Sequence, residues 1–235
     1  AEQLAGAAAP GARLAAADDP HGLVRLPRFL GGGHWLDLDW LWPVSLAEYP
    51  FDVVEFRRRN TPLLIVTTRV ADATPCYHLA EPESMMAVAK ASCSVPVAYR
   101  NFVLLHGDAH TDGGVADSIP SAWLFAQGYD RNIVVLTQPA GFVKQPNSVM
   151  PMLRRVFRHY PEFVAALEHR HEVYNATLDD LARREAAGEI FVVRPSESVK
   201  VPSLCREPDE LERIYQIGRR DAEATLPALE AYLAG

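Results

Sequence analysis

The segment Asp112-Gly113-Gly114 is the first candidate for chemistry in this sequence. A carboxylate followed by two glycines can be displayed at a strand end, because glycine permits backbone angles and close approaches that a Cβ would block. A carboxylate in that position could accept a proton from a reacting group. The same three residues are equally typical of an ordinary turn. The spacing alone therefore leaves both interpretations open.

Histidines and aspartates alternate in the preceding residues. If residues 106–112 are extended, the period of a strand places His106, Asp108, His110 and Asp112 on one face. Such a face can hold a divalent metal ion in a metal-dependent hydrolase, and residues 108–112 are similar to a metal-binding pentapeptide of the ureohydrolases. The Gly-Gly-Asp-His segment and second Asp-x-Asp motif of that family are absent. We therefore predict no metal site, but an exposed polar hairpin with Gly107 and Asp108 in its turn.

Three further motifs have simpler interpretations. The triplet Gly31–Gly33 lacks the preceding strand and following helix of an oxyanion or phosphate loop, which favours a flexible turn. The run from Glu168 to Glu172 lies in a predicted helix, where adjacent residues do not share a face, and indicates a solvated surface. Cys93 has no adjacent Lys, Arg or His to lower the pKa of its thiol, which favours a buried small residue.

Composition excludes several classes of protein. The chain has 235 residues, a net charge of -7 and no basic stripe, so nucleic acid is not an expected partner. Its three cysteines are far apart in the sequence, which predicts a reducing, cytoplasmic location without a disulfide framework. No apolar run is long enough to span a bilayer, and no signal peptide is visible.

Strands and helices alternate along the chain, which predicts an α/β fold with a layered sheet. Residues 62–70 and 132–137 are predicted as buried strands, the first forming a hairpin with residues 76–79. Asp117 is predicted to cap a helix. No repeat, linker or composition change marks a boundary, so a single domain over 1–235 is expected. The remaining predicted strands are 102–106 and 190–193, and the predicted helices are 81–92, 117–128, 152–160, 162–187 and 208–233.

Several segments together resemble the patatin-like phospholipase family, in its bacterial cytoplasmic branch. The block from Asp112 to Pro120, Asp-Gly-Gly followed by a proline six residues later, is the most specific of them. The resemblance implies a three-layer α/β/α fold and hydrolysis of acyl esters of lipids by a Ser–Asp dyad, without a cofactor. The other matching segments are residues 32–40, 61–67, 91–96, 133–137, 170–175 and 190–195.

Carried over to this sequence, the resemblance implies that Asp112 is the dyad aspartate and that Gly113 and Gly114 complete its motif. No Gly-x-Ser-x-Gly elbow occurs in the chain, so the nucleophile is expected before Ala1, together with the first strand and the oxyanion loop. Residues 1–20 fit the helix that follows the elbow. By itself the chain is then expected to be inactive. The expected substrate is a lipid or small ester, with peripheral membrane contact.

The alternative interpretation is a non-catalytic remnant or binding module with a patatin-derived fold. The sequence does not indicate a head group, an acyl length or an oligomeric state.

Overall fold

The computed structural model describes residues 31–199, 201, 205 and 207–234, and it is a mixed α/β structure, as predicted. Residues 1–20, expected to form a helix, lie outside the described part. The helices are α1 (Leu38–Glu48), α2 (Val53–Arg59), α3 (Met85–Ser92), α4 (Ser121–Ala126), α5 (Met150–Val156), α6 (Pro161–Ala186) and α7 (Pro208–Ala234). The strands are β1 (Leu64–Arg69), β2 (Pro75–Leu79), β3 (Val103–Leu105), β4 (Asp108–Asp112), β5 (Asn132–Val135) and β6 (Ile190–Val193), with a 3₁₀ turn at Gly113–Val115 after β4.

A four-stranded antiparallel sheet in the order β2-β1-β4-β3 carries the candidate site. The predicted hairpin between residues 62–70 and 76–79 is confirmed as β1 and β2. Its turn is closed by Asp72, whose carboxylate accepts from Thr74 N and pairs with Arg69. In the centre of the sheet, Thr67 on β1 lies directly opposite Asp112 on β4.

A buried core of one strand end, the 3₁₀ turn and two helices supports the end of β4. Val115 of the 3₁₀ turn packs with Phe163, which is fully buried, and with Phe157 at the end of α5. Truncation of a buried Phe typically costs about 3–5 kcal/mol, so this cluster strongly stabilises the segment after Asp112. The other buried members are Val70, Met150, Leu153 and Leu167.

The second sheet is a parallel pair, β5 and β6, on which α7 packs. The prediction of a buried strand at 132–137 is wrong for half of its side chains. Asn132 and Leu136 are buried, whereas Ile133 is 44% and Val135 72% exposed. Successive side chains of a strand point to opposite faces, and only one face of β5 is covered.

Helix boundaries differ from the predictions in several places. The helix expected at 152–160 covers Met150–Val156, and the one expected to end at 128 ends at Ala126. The helix expected from residue 81 begins at Met85, and the one expected from 117 begins at Ser121. Pro161 starts α6, which suits the missing N–H of proline at a first helical turn. In α7, Pro227 does not end the helix. None of the described helices combines the length and apolar character needed to cross a membrane.

The chain divides into two compact units. One contains, among the described residues, 31–120 and 144–177, and includes the four-stranded sheet. The other contains, among the described residues, 121–143, 178–199 and 207–234, and includes β5 and β6. The interpretation of the whole chain as one domain stays a prediction.

Candidate active site

Asp112 is the last residue of β4, an inner strand of the four-stranded sheet. Its backbone N–H donates to Ser94 O at 3.3 Å, and the hydroxyl of the preceding Thr111 donates to the same carbonyl at 2.6 Å. The Ser94 hydroxyl in turn donates to Ala91 O at 2.6 Å. The end of α3 therefore holds the backbone of Asp112 from one side.

The Asp112 side chain folds back on the turn that follows it. Its Oδ1 accepts from Gly114 N at 2.7 Å, which caps the 3₁₀ turn at Gly113–Val115. In the described part of the chain, no hydrogen bond reaches the second oxygen, Oδ2. One oxygen thus orients the carboxylate while the other remains able to accept a proton.

Space rather than backbone angle constrains both positions, absolutely at Gly113 and less strictly at Gly114. A Cβ on Gly113 would lie 2.1 Å from the carbonyl oxygen of Val66 in β1, a contact that no side chain could make. A Cβ on Gly114 would lie 3.0 Å from Asp112 Oδ1 and 3.1 Å from Arg170 Nη2. The close approach considered from the sequence therefore excludes a side chain at Gly113, whereas at Gly114 it would crowd the ends of two side chains.

Three side chains hold this loop from outside it, and sequence reasoning identified none of them. The Thr68 hydroxyl donates to Asp112 O at 2.8 Å and accepts from Ala116 N at 3.1 Å. The Ser118 hydroxyl donates to Gly114 O at 2.7 Å, and Nε of Arg170 on α6 donates to the same oxygen. Arg170 is separated from Gly114 by 56 residues, so no local pattern could have paired them.

Burial raises the pKa of Asp112 above its ordinary value of 3.8. The hydrogen bond from Gly114 N and the positive charge of Arg170 lower the pKa, but they do not outweigh the desolvation. A carboxylate made more basic in this way is a better proton acceptor than an exposed one.

Cys93 lies near Asp112, and its expected burial is wrong, because its side chain is exposed. Surrounding protein atoms and the Asp112 carboxylate nevertheless raise the pKa of the thiol. Raising the pKa keeps the sulfur protonated, so Cys93 does not have the character of an activated thiolate nucleophile. Cys76 and Cys205 are also free thiols.

The histidine hairpin differs from the expected exposed turn. The turn residues are His106 and Gly107, both with positive φ, whereas Asp108 begins β4. His110 is buried, and its Nδ1 lies 2.8 Å from Thr67 Oγ1, which also bonds His78 Nε2 at 2.8 Å. β4 is an inner strand, which explains why this part of the hairpin is covered. Among the described residues, no group of three or more His, Cys, Asp or Glu is placed to hold a metal ion.

The run Glu168–Glu172 on α6 is a solvated surface only in part. His169 and Glu172 are exposed, as the prediction requires, and His169 Nδ1 lies 3.0 Å from Glu172 Oε2. Arg170 points instead to the Asp112 loop, and it is half-buried. Residues three and four apart, rather than adjacent ones, share a helix face, so one segment serves both surfaces.

Comparison with known proteins gives two similarities. Residues 160–234 match a domain of unknown function, DUF6363. The chain is also 26% identical over 196 residues to the uncharacterized protein YjjU of Escherichia coli (strain K12). The aligned region covers 82% of this chain. The chain spans 55% of the length of that relative, or about half. Arg170 lies within the DUF6363 region and Asp112 lies outside it.

Proposed function

We propose that this chain belongs to a patatin-like serine hydrolase that cleaves acyl esters of lipids, with Asp112 as the carboxylate of a Ser–Asp dyad. The proposal includes a three-layer α/β/α arrangement and a cytoplasmic location. The observation that carries it is the Asp112 loop. Two glycines bring the loop against β1, one carboxylate oxygen is engaged by Gly114 N, and burial raises the pKa of the group.

In the proposed reaction, a serine hydroxyl attacks the ester carbonyl while Asp112 accepts its proton. Asp112 then returns that proton to the departing alcohol, and water hydrolyses the acyl-serine by the same route. The dyad needs no histidine, which agrees with the contacts of His110, whose Nδ1 bonds Thr67.

The serines beside the loop are unsuited to the nucleophilic role. The Ser118 hydroxyl donates to Gly114 O, and Ser94 is fully buried with its hydroxyl on Ala91 O. We therefore propose that the nucleophile lies outside the described residues, in a Gly-x-Ser-x-Gly segment of a longer natural chain.

The test is Asp112→Asn in the full-length protein, assayed with a p-nitrophenyl ester. Asparagine keeps the shape and an acceptor for Gly114 N but cannot take the proton. General-base catalysis contributes about 10²- to 10⁴-fold, so kcat should fall by at least about 10². Asp108→Asn, the same substitution at the exposed start of the same strand, is the matched control and should retain activity.

Stability provides a second readout for the same variant. The folded-state pKa of Asp112 is raised, so ionisation costs stability as pH rises above 3.8. Asp112→Asn removes that cost, and its midpoint of urea unfolding at pH 7 should be no lower than that of the wild type. Near-full activity of Asp112→Asn, or loss of activity in Asp108→Asn, would contradict the dyad. No ester turnover by the wild-type full-length protein would favour a non-catalytic binding module.

A further inference from the structure

The first half of α6 packs against the turn that follows Asp112. Phe163 and Leu167, one turn apart on the helix, are buried in the same core cluster as Val115 of the 3₁₀ turn. Arg170 lies one turn further along, on the same face, because residues three and four apart are neighbours on a helix surface. Its Nε donates to Gly114 O. The helix therefore contacts the turn through two apolar side chains and one cation.

The next part of α6 is held by a different segment of the chain. Asn175 accepts from the backbone N–H of Lys144 at 2.8 Å and donates to its carbonyl at 3.0 Å. Between Arg170 and Thr177, the helix also lines a narrow cavity together with residues 115–119. The helix is thus anchored both before and after Arg170, and these anchors fix where the guanidinium lies.

These contacts come from the region of unknown function. Residues 160–234 match DUF6363, so Phe163 and Arg170 belong to that region, whereas Asp112 does not. The compact unit that contains the four-stranded sheet nevertheless includes residues 144–177. The beginning of the DUF6363 region is therefore packed into the same unit as the candidate base.

We infer that the DUF6363 region is a functional part of the candidate active site, in which Arg170 is a positioning residue that fixes the Gly114 carbonyl and thereby the Asp112 carboxylate. The inference rests on the proposed function, because it assigns this region a role in that same site. Gly114 connects the two groups, since its carbonyl accepts from Arg170 and its N–H donates to Asp112 Oδ1 at 2.7 Å. A displaced Gly114 would carry the carboxylate with it, and a misplacement of about 1 Å can cost about 10²-fold in rate.

Arg170 also acts on Asp112 through its charge. Burial has the largest influence and raises the pKa of Asp112, whereas the hydrogen bond from Gly114 N and the positive charge of Arg170 lower it. Removal of that charge should raise the pKa further, so that a higher pH is needed to ionise the carboxylate.

The other titratable groups that face this pair are a thiol, a phenol and an ammonium. Cys93 faces Asp112 from the end of α3, and Tyr174 and Lys144 face Arg170. Desolvation raises the pKa of Cys93 above 9.0 and that of Tyr174 above 10.0, and it lowers the pKa of Lys144 from 10.5. Below pH 7 these three groups keep their protons, so Asp112 is the described group beside Arg170 whose charge changes there.

The first arm of the test is kinetic and uses the full-length protein with a p-nitrophenyl ester. Arg170→Gln should lower kcat at least about ten-fold while KM changes little, because Arg170 bonds the backbone of the loop. The acid limb of its kcat–pH profile should move to higher pH. Arg170→Lys keeps the charge but not the planar guanidinium, so its kcat should fall while its acid limb stays near that of the wild type. A purely structural role would leave the acid limb of both variants in place.

Arg183→Gln is the matched control. It removes the same charge from the same helix, 13 residues beyond Arg170, where the side chain is exposed and pairs with Asp180. Both kcat and the acid limb should stay as in the wild type. Equal effects of Arg183→Gln and Arg170→Gln, or unchanged kcat and acid limb in Arg170→Gln, would overturn the inference.

The second arm needs no catalysis, so it separates the inference from the proposed function. Urea midpoints of the wild type and Arg170→Gln are compared between pH 3.5 and 7.5. The folded-state pKa of Asp112 is raised, so ionisation costs stability as the pH rises, and without Arg170 that cost is larger. The loss caused by Arg170→Gln should therefore grow with pH, whereas in an Asp112→Asn background it should be the same at every pH.

A loss that is independent of pH in both backgrounds would show that Arg170 does not act on Asp112, and it would overturn the inference. The expected pH dependence, together with no ester turnover by the wild type, would instead reject the proposed function and leave the coupling between Arg170 and Asp112 established.

Discussion

At the scale of single residues, the two glycines after Asp112 face different neighbours. A Cβ added to Gly113 would collide with the backbone of β1, and that backbone cannot move aside unless the whole strand moves. Gly114 faces the ends of two side chains, Asp112 and Arg170, which can shift by a few tenths of an ångström. One glycine therefore maintains the fold, whereas the other maintains the geometry of the site.

We expect Gly113→Ala and Gly114→Ala to separate stability from activity. Gly113→Ala should lower the free energy of unfolding by at least about 2 kcal/mol, because overpacking against a backbone typically costs about 1–3 kcal/mol. Gly114→Ala should stay within about 1 kcal/mol of the wild type but reduce kcat of the full-length protein by displacing the carboxylate. Urea unfolding and ester hydrolysis measure the two effects, and the opposite order would contradict this division.

Thr67 is a buried hydroxyl between two imidazoles, and it makes the sheet sensitive to pH. It can donate its one proton to only one of His78 and His110, so the other imidazole must donate to it. Burial, first of all, lowers the pKa of both histidines below 6.5, and neighbouring positive charge lowers it further. The unfolded chain therefore binds protons more readily than the folded one as the pH falls through 6.5.

Stability contributed by this histidine pair should be complete above pH 6.5 and decline as the pH falls towards the lowered folded-state pKa values. Urea unfolding between pH 5 and 7.5 tests this expectation. A double variant, His78→Gln with His110→Gln, should show a flatter pH dependence than the wild type, whatever its absolute stability. Parallel pH profiles would show that these imidazoles do not drive the loss.

At the scale of elements, β5 and β6 show why an apolar run need not be buried. Both strands consist mainly of Ile, Val and Phe, yet Val192 in β6 is 8% exposed and Val135 in β5 is 72% exposed. The exposed fraction of a side chain depends on which face of the β5–β6 pair is covered. The type of the residue does not indicate which face that is.

We expect the same Val→Ala substitution to lower the free energy of unfolding strongly in β6 and very little in β5. Val192→Ala should lower the free energy of unfolding by about 2 kcal/mol, since a buried Val side chain contributes about 1.5–3 kcal/mol. Val135→Ala should change it by less than about 0.5 kcal/mol. Urea denaturation measures both, and a large loss in Val135→Ala would show that something covers the outer face of β5 in solution.

At the scale of the whole molecule, the net charge of -7 sets a limit on membrane recognition. An acidic protein is not attracted to an anionic bilayer by its summed charge. Contact with the proposed lipid substrate should then depend on short-ranged interactions, within a Debye length of about 8 Å at physiological salt.

Vesicle co-sedimentation tests this expectation. Binding of the full-length protein to phosphatidylcholine vesicles should not increase when about a third of the lipid is replaced by phosphatidylglycerol. A marked increase that disappears at high salt would reveal a basic membrane-binding face and contradict the expectation from net charge.

Local patterns in the sequence predicted much of the fold. Runs of apolar residues predicted the β1–β2 hairpin and β6, and Pro161 and Gly188 marked the two ends of α6. These signals act over only a few residues. The α/β class follows from the order of these elements. The motif containing Asp112 was also recognisable, because its aspartate and glycines are adjacent in the chain.

Only the tertiary structure decided what surrounds that motif. Val66 makes Gly113 necessary, Arg170 reaches Gly114 from 56 residues away, and Asn175 holds the backbone of Lys144 against α6. The burial of His110 and the exposure of Cys93 likewise follow from the covered side of β4 and the end of α3. These contacts join segments whose distance depends on how sheets and helices pack, and short-range propensities carry no information about that packing.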